Sequence, residues 1–169
     1  MAKAYRVGLF VRSNNAVMRS LIRAGVRIGT FAVLTVRGRK SGRPVNVPVV
    51  VFPYRGDDYL VASYGVVNWV RNLRASDGRA ELRRGQVTEK ISAVELPAEQ
   101  AGPILQFSLH AGPPGIPRPI VLIFRRFFVL PYLDVDMTSS DEEFVQAAGK
   151  HPVFRVQPAV ESKERLSGP

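Results

Sequence analysis

The chain has 169 residues, 46% of them hydrophobic, which is enough for one domain to bury a core and too little for two of ordinary size. Lysine and arginine outnumber aspartate and glutamate 24 to 14, and the net charge of +10 favours an anionic partner: nucleic acid, a phospholipid surface, or a small molecule bearing phosphate and carboxylate. Cysteine is absent, which excludes disulfides, thiolate nucleophiles and cysteine-ligated zinc, and His110 and His151 fit no local metal-ligand spacing, so no metal is expected.

At the start, the apolar run 7–11 is too short and too closely flanked by Arg6 and Arg12 for a signal peptide. No segment reaches the roughly 20 apolar residues of a membrane span, so a cytoplasmic location is expected. Residues 14–29 read as a helix with Ser13 or Asn14 as N-cap. Val17, Met18, Leu21, Ile22, Val26 and Ile28 make a wide apolar face, and Arg19, Arg23 and Arg27 recur along the opposite edge. Such a helix either packs on the core with a solvated arginine stripe or lies on anionic lipid, a peripheral contact with the inner membrane face.

From Phe31 the period changes. Residues 31–37, 45–54 and 59–63 are short and rich in Val, Phe, Tyr and Thr, and are expected to be strands. Residues 38–44 turn between the first two strands and 55–58 between the second and third. Pro48 and Pro53 require a bend, a bulge or an edge in the second strand, because proline donates nothing to a ladder. Residues 66–75 read as a short helix with Val66, Trp69, Val70 and Leu73 on one stripe and Asn68, Arg71 and Asn72 off it. Residues 79–84 and 86–96 are two further strands, and Pro97 starts a helix. Residues 111–119, crowded with Gly and Pro, are a loop. In residues 120–133 two apolar blocks flank Arg125 and Arg126. A helix burying both blocks and projecting the arginines is expected, the alternative being a membrane- or substrate-facing wall. A short helix over 140–148, with a possible capping box from Glu143, and a last strand over 151–156 complete the reading. The fold class is α+β, an antiparallel sheet of about six strands closing toward a barrel, with one domain over residues 1–157 and a flexible tail over 158–169.

Familiar catalytic motifs are missing. No Gly lies in place for a phosphate-binding P-loop around Lys40-Ser41, and there is no Gly-x-Gly-x-x-Gly, Gly-x-Ser-x-Gly or His-Glu-x-x-His. An enzyme without metal, thiol or triad takes its reactivity from an organic cofactor. The Gly38-Arg39-Lys40-Ser41-Gly42-Arg43-Pro44 turn offers charge and close backbone approach to an anion, and the Ser63-Tyr64-Gly65 turn opens the helix that carries Asn68, Trp69 and Asn72. The same turn would also serve as a solvated hairpin, and Trp69 as a plain core residue.

Four stretches carry a resemblance: Thr35 through Gly42 leading to Pro48; Tyr59-Leu60-Val61-Ala62-Ser63; Asn68-Trp69-Val70-Arg71-Asn72-Leu73; and His151-Pro152-Val153-Phe154-Arg155-Val156. In this order they resemble the deazaflavin-dependent nitroreductase family of the split β-barrel, flavin-binding superfamily, which uses coenzyme F-420. The resemblance implies an antiparallel split barrel and hydride transfer from the reduced deazaflavin to a quinone- or nitro-type lipophilic acceptor, with FMN the less favoured cofactor. It implies that Arg39, Lys40 and Ser41 hold the anionic tail and that Val47, Pro48 and Val49 border the ring. Ala62, Ser63, Tyr64 and Gly65 complete the cradle, Trp69 and Asn72 lock the helix, and Tyr64 or Ser63 donates a proton. Tyr64 and Val45 stand where active nitroreductases of the family tend to carry basic residues, and Arg43 and Arg71 are the candidates to replace that charge. A non-catalytic carrier of a lipid, fatty acyl group or cofactor on the same barrel is the rival reading. Nucleic acid is not expected, because the aromatics are not interleaved with the arginines.

Overall fold

The structure is a computed structural model that describes residues 31–112 and 115–159. The helix expected over 14–29 and residues 160–169 of the expected tail lie outside the described residues. Among the described residues six strands form: β1 (Phe31–Arg37), β2 (Pro44–Tyr54), β3 (Asp57–Val61), β4 (Arg79–Arg84), β5 (Val87–Glu95) and β6 (Val153–Pro158). All pairings are antiparallel, and the strands close into a barrel in the order β1-β2-β3-β6-β5-β4.

Period-two alternation divides each strand between an inner and an outer face. Ala32, Leu34 and Val36 of β1 point inward and meet Val49, Val51, Leu60, Leu82, Ile91, Ala93 and Phe154, so every strand fills the interior. Each fully buried Leu among them is worth about 1.5–3 kcal/mol over exposure. Their chain neighbours Tyr59 and Val153 face the other way, into a second core under the helices.

The described residues also form four α-helices: α1 (Asn68–Ala75), α2 (Ala98–Ala111), α3 (Arg118–Phe124) and α4 (Asp141–Ala148). Val70 and Leu73 of α1 join the barrel interior. Ala101, Ile104, Leu105 and Leu109 of α2 pack with Phe144, Ala147 and Ala148 of α4 over the outside of the barrel. Helix α4 starts with the expected capping box: Ser140 Oγ accepts from the Glu143 N–H (3.3 Å) while Glu143 Oε2 accepts from the Ser140 N–H (2.7 Å).

Three expectations shift. The β2–β3 turn contracts to Arg55 and Gly56, whose φ angles of 51° and 91° make the two-residue turn that matches strand twist, and Asp57 and Asp58 enter the ladder opposite Tyr54 and Pro53. The loop expected over 111–119 ends early, because Pro119 fits the first turn of α3, where its missing N–H costs nothing. The largest correction concerns residues 120–133, expected to bury both apolar blocks and project the arginines. Here α3 runs into a π-helical turn (Arg125–Val129) and a 3-10 turn (Leu130–Tyr132). Val121 is buried, but Ile120, Leu122, Ile123 and Phe127 are exposed, and Arg125 turns inward to donate to the Leu109 carbonyl (2.8 Å). That bond anchors the segment on α2 and leaves its apolar side outward.

Candidate functional site

The turn after β1 folds back on itself: the Gly38 N–H donates to the Arg43 carbonyl (2.8 Å) and the Gly42 N–H to the Gly38 carbonyl (2.7 Å). Gly42 has φ 67°, a conformation that costs an L-residue roughly 1 kcal/mol or more. A loop so tightly closed has no interior, and the side chains of Arg39, Lys40, Ser41 and Arg43 are all exposed.

Arg39 binds the turn to α1. Its Nη1 donates to Asn72 Oδ1 (2.8 Å), its backbone N–H reaches the same oxygen (3.3 Å), and Nη2 reaches Asn68 Oδ1 (3.4 Å). This explains why Asn72, read from the sequence as lying off the apolar stripe, is 6% exposed: its oxygen is satisfied from across the turn. Lys40, Arg43 and Arg71, by contrast, take part in none of the ion pairs among the described residues. Trp69 is half-buried, its ring 5.7 Å from that of Phe154, which fixes α1 on the barrel.

Val47, Pro48 and Val49 lie on the first half of β2, opposite Leu34, Val33 and Ala32 of β1. On its other side β2 meets β3 at residues 51–54, and after Val61 the chain leaves the ladder as the Ala62 N–H turns to the Pro152 carbonyl (2.9 Å). Residues 44–50 therefore have a backbone edge without a strand partner among the described residues. There Pro48, with no N–H, breaks no ladder, which meets the expectation of an edge.

Ala62, Ser63, Tyr64 and Gly65 make the turn that follows β3. The expected helix start at this turn moves: α1 begins at Asn68, and the Gly65 and Val67 N–H groups are used on the Ala62 and Gly65 carbonyls (both 2.8 Å). The donors that α1 offers are instead those of its own first turn, which has no side-chain cap. Gly65, at φ 75°, passes so close to the Lys150 carbonyl that a Cβ would lie 3.3 Å from it.

Two residues outside the expected set complete this region. His151, 4% exposed, places Nδ1 3.3 Å from the Ala62 carbonyl, and burial holds its pKa below the ordinary histidine value against the opposing pull of that carbonyl and Asp134. Tyr132 stands edge-on to Tyr64, with ring centroids 5.4 Å apart. Its distance of 68 positions from Tyr64 in sequence gave no local signal for the pairing. His151 did stand in one of the four motif stretches, and its Pro152 neighbour is the residue that holds Ala62.

The exposed cations Lys40, Arg43 and Arg71 and an uncapped helix start make a donor set suited to an anion with a phosphate or carboxylate tail, whereas the backbone donors expected of the glycines are spent: the Gly38, Gly42 and Gly65 N–H groups all bond carbonyls within their own turns. The sequence pattern of the F-420H(2)-dependent quinone reductase family matches residues 10–109, more than half of the chain. The chain belongs to this family. It is thus an F-420-dependent oxidoreductase, with coenzyme F-420 as its cofactor. Among solved structures, a domain-swapped dimer is similar at 20% identity over 88% of this chain and 97% of that one, with a TM-score of 0.50, a likeness of fold. An F-420-H2 dependent reductase (FDR-A) aligns at 20% identity over 76% and 94% of the two chains, TM-score 0.46. A Listeria innocua protein described as a pyridoxamine 5'-phosphate oxidase aligns at 11% over 84% and 93%, TM-score 0.44. No curated protein matches the chain.

Proposed function

We propose that this quinone reductase family member passes a hydride from F-420 to a lipophilic quinone, with the cofactor lying along the open edge of β2. Reduced F-420 supplies the hydride from C5 of its deazaflavin ring. Lys40, Ser41 and Arg43 bind the anionic tail, assisted by Arg71, and Arg39 sets the turn at the right height through Asn72. The backbone of Val47, Pro48 and Val49 borders the ring on one side, and residues 62–65 border it on the other. Tyr64, braced by Tyr132, faces the acceptor and gives the proton that, with the hydride, turns quinone into hydroquinone; Ser63 is the alternative donor.

The observation that carries this reading is the Arg39–Asn72 junction, which puts an exposed cationic turn beside α1 and next to a strand edge that has no partner among the described residues. The carrier reading finds less support, because side chains from all six strands fill the barrel interior where a lipid would lie. Anaerobic turnover of reduced F-420 with a substituted benzoquinone and with a nitroarene tests the proposal. The quinone is expected to be the faster acceptor. Turnover with the nitroarene alone, or with neither, would overturn it.

A further inference from the structure

Ile120, Ile123 and Phe127 fall at i, i+3 and i+7 along α3 and its π-helical continuation, and are 56%, 60% and 63% exposed; Leu122 beside them is 53% exposed. A contiguous stripe of large apolar side chains at such exposure marks a contact surface. Arg118 and Arg126 are exposed on the same segment, and residues 111–133 contain no aspartate or glutamate. The opposite side of the segment is committed, through Val121 and through Arg125 on the Leu109 carbonyl. We infer that this face seats in the headgroup region of a bilayer containing anionic lipid, with Ile120, Ile123 and Phe127 in the acyl boundary and Arg118 and Arg126 on the phosphates.

Charge selects the bilayer over the other occupants. A second copy docking face to face would bring two arginine-bearing surfaces together with no carboxylate to pair them. Residues 1–30 likewise offer Arg118 and Arg126 no counter-charge, since they carry Lys3, Arg6, Arg12, Arg19, Arg23 and Arg27 and no carboxylate. Anionic lipid satisfies both halves of the pattern, the apolar stripe and two arginines that make no ion pair among the described residues. The segment ends at Tyr132, whose ring meets Tyr64. A membrane-dissolved acceptor entering along this face therefore arrives at the proposed proton donor; this last consequence rests on the proposed function, whereas the lipid contact does not.

Sedimentation of the full chain with vesicles of phosphatidylcholine, with and without phosphatidylglycerol, reads the contact without any turnover. Binding is expected with the anionic vesicles and is expected to fall about tenfold or more in the Ile123→Ser/Phe127→Ser variant, because two exposed apolar anchors are removed. Arg126→Gln should weaken it less and reduce its salt dependence. Since these side chains are exposed, the variant should keep its thermal midpoint and its F-420 affinity. Two results would overturn the inference: vesicle binding unchanged in Ile123→Ser/Phe127→Ser but lost in Arg19→Ser/Arg23→Ser, or no vesicle binding together with a dimer in solution that Ile123→Ser/Phe127→Ser dissociates.

Discussion

Arg39 and Lys40 are neighbours in one turn and do different work. Arg39 spends its guanidinium on Asn72 and Asn68, so Arg39→Ala leaves the buried Asn72 oxygen with only the longer bond from the backbone N–H of residue 39 and should cost about 1 kcal/mol in chemical denaturation as well as weakening F-420 binding. Lys40 is exposed and makes no ion pair among the described residues, so Lys40→Ala should weaken F-420 binding about tenfold and leave stability unchanged. A double set of measurements, affinity by cofactor fluorescence and stability by urea titration, separates the two roles; equal stability losses would contradict the assignment. At the proposed proton donor, Tyr64→Phe keeps the ring against Tyr132 and removes the hydroxyl. The kcat for quinone should fall about 10²-fold with F-420 affinity intact, and an unchanged kcat would move the proton to Ser63 or water. Residue types made the cationic turn legible in the sequence. Which arginine turns inward was not, because that depends on an asparagine 33 positions away.

Most elements were readable from period and punctuation. Strand β1 follows from its β-branched run, and α4 from Ser140 and Glu143. The failure at α3 has a physical cause: helical periodicity shows that a segment has an apolar face but not whether anything packs on it, and the Arg125 bond to Leu109 that fixes its orientation is long-range. The α2–α4 crossing was equally hidden. At Gly102 a Cβ would lie 2.8 Å from Val145 Cγ2 and 3.0 Å from Val145 Cα, so the two helices approach closely because this residue has no side chain. Gly102→Ala gains about 1 kcal/mol of helix propensity but must push the helices apart at a cost of about 1–3 kcal/mol. A net loss of stability is expected in thermal denaturation, and a raised midpoint would show that the crossing has slack.

Over the whole molecule, the local hairpins and a sheet closing toward a barrel were legible, and the strand pairs that make the closure were not. The β1–β2, β2–β3 and β4–β5 pairs follow from their turns, whereas β1–β4 and β3–β6, which close the barrel, join strands distant in sequence. The start of β6 is also where the pH response of the fold resides. Burial lowers the pKa of His151 from 6.5, with Asp134 and the Ala62 and Ser63 backbone pulling upward and Lys150 downward. The unfolded chain therefore takes up a proton before the native state does. This contribution to stability is full well above pH 6.5 and declines as pH falls through that value toward the lower native one, so the decline begins before ordinary carboxylates titrate. The urea midpoint should drop between about pH 7.5 and 5.5, and His151→Asn should flatten that slope; a slope unaffected by the substitution would place the response elsewhere. The barrel's purpose in this account is to bring one cationic turn, one helix start and one open strand edge to a single anionic cofactor. Fluorescence titration of the purified chain with F-420, FMN and FAD tests this most directly. The account predicts micromolar or tighter binding of F-420, weaker binding of both flavins and about a tenfold loss on Lys40→Ala; F-420 binding that ignores Lys40→Ala and Arg43→Ala alike would contradict it.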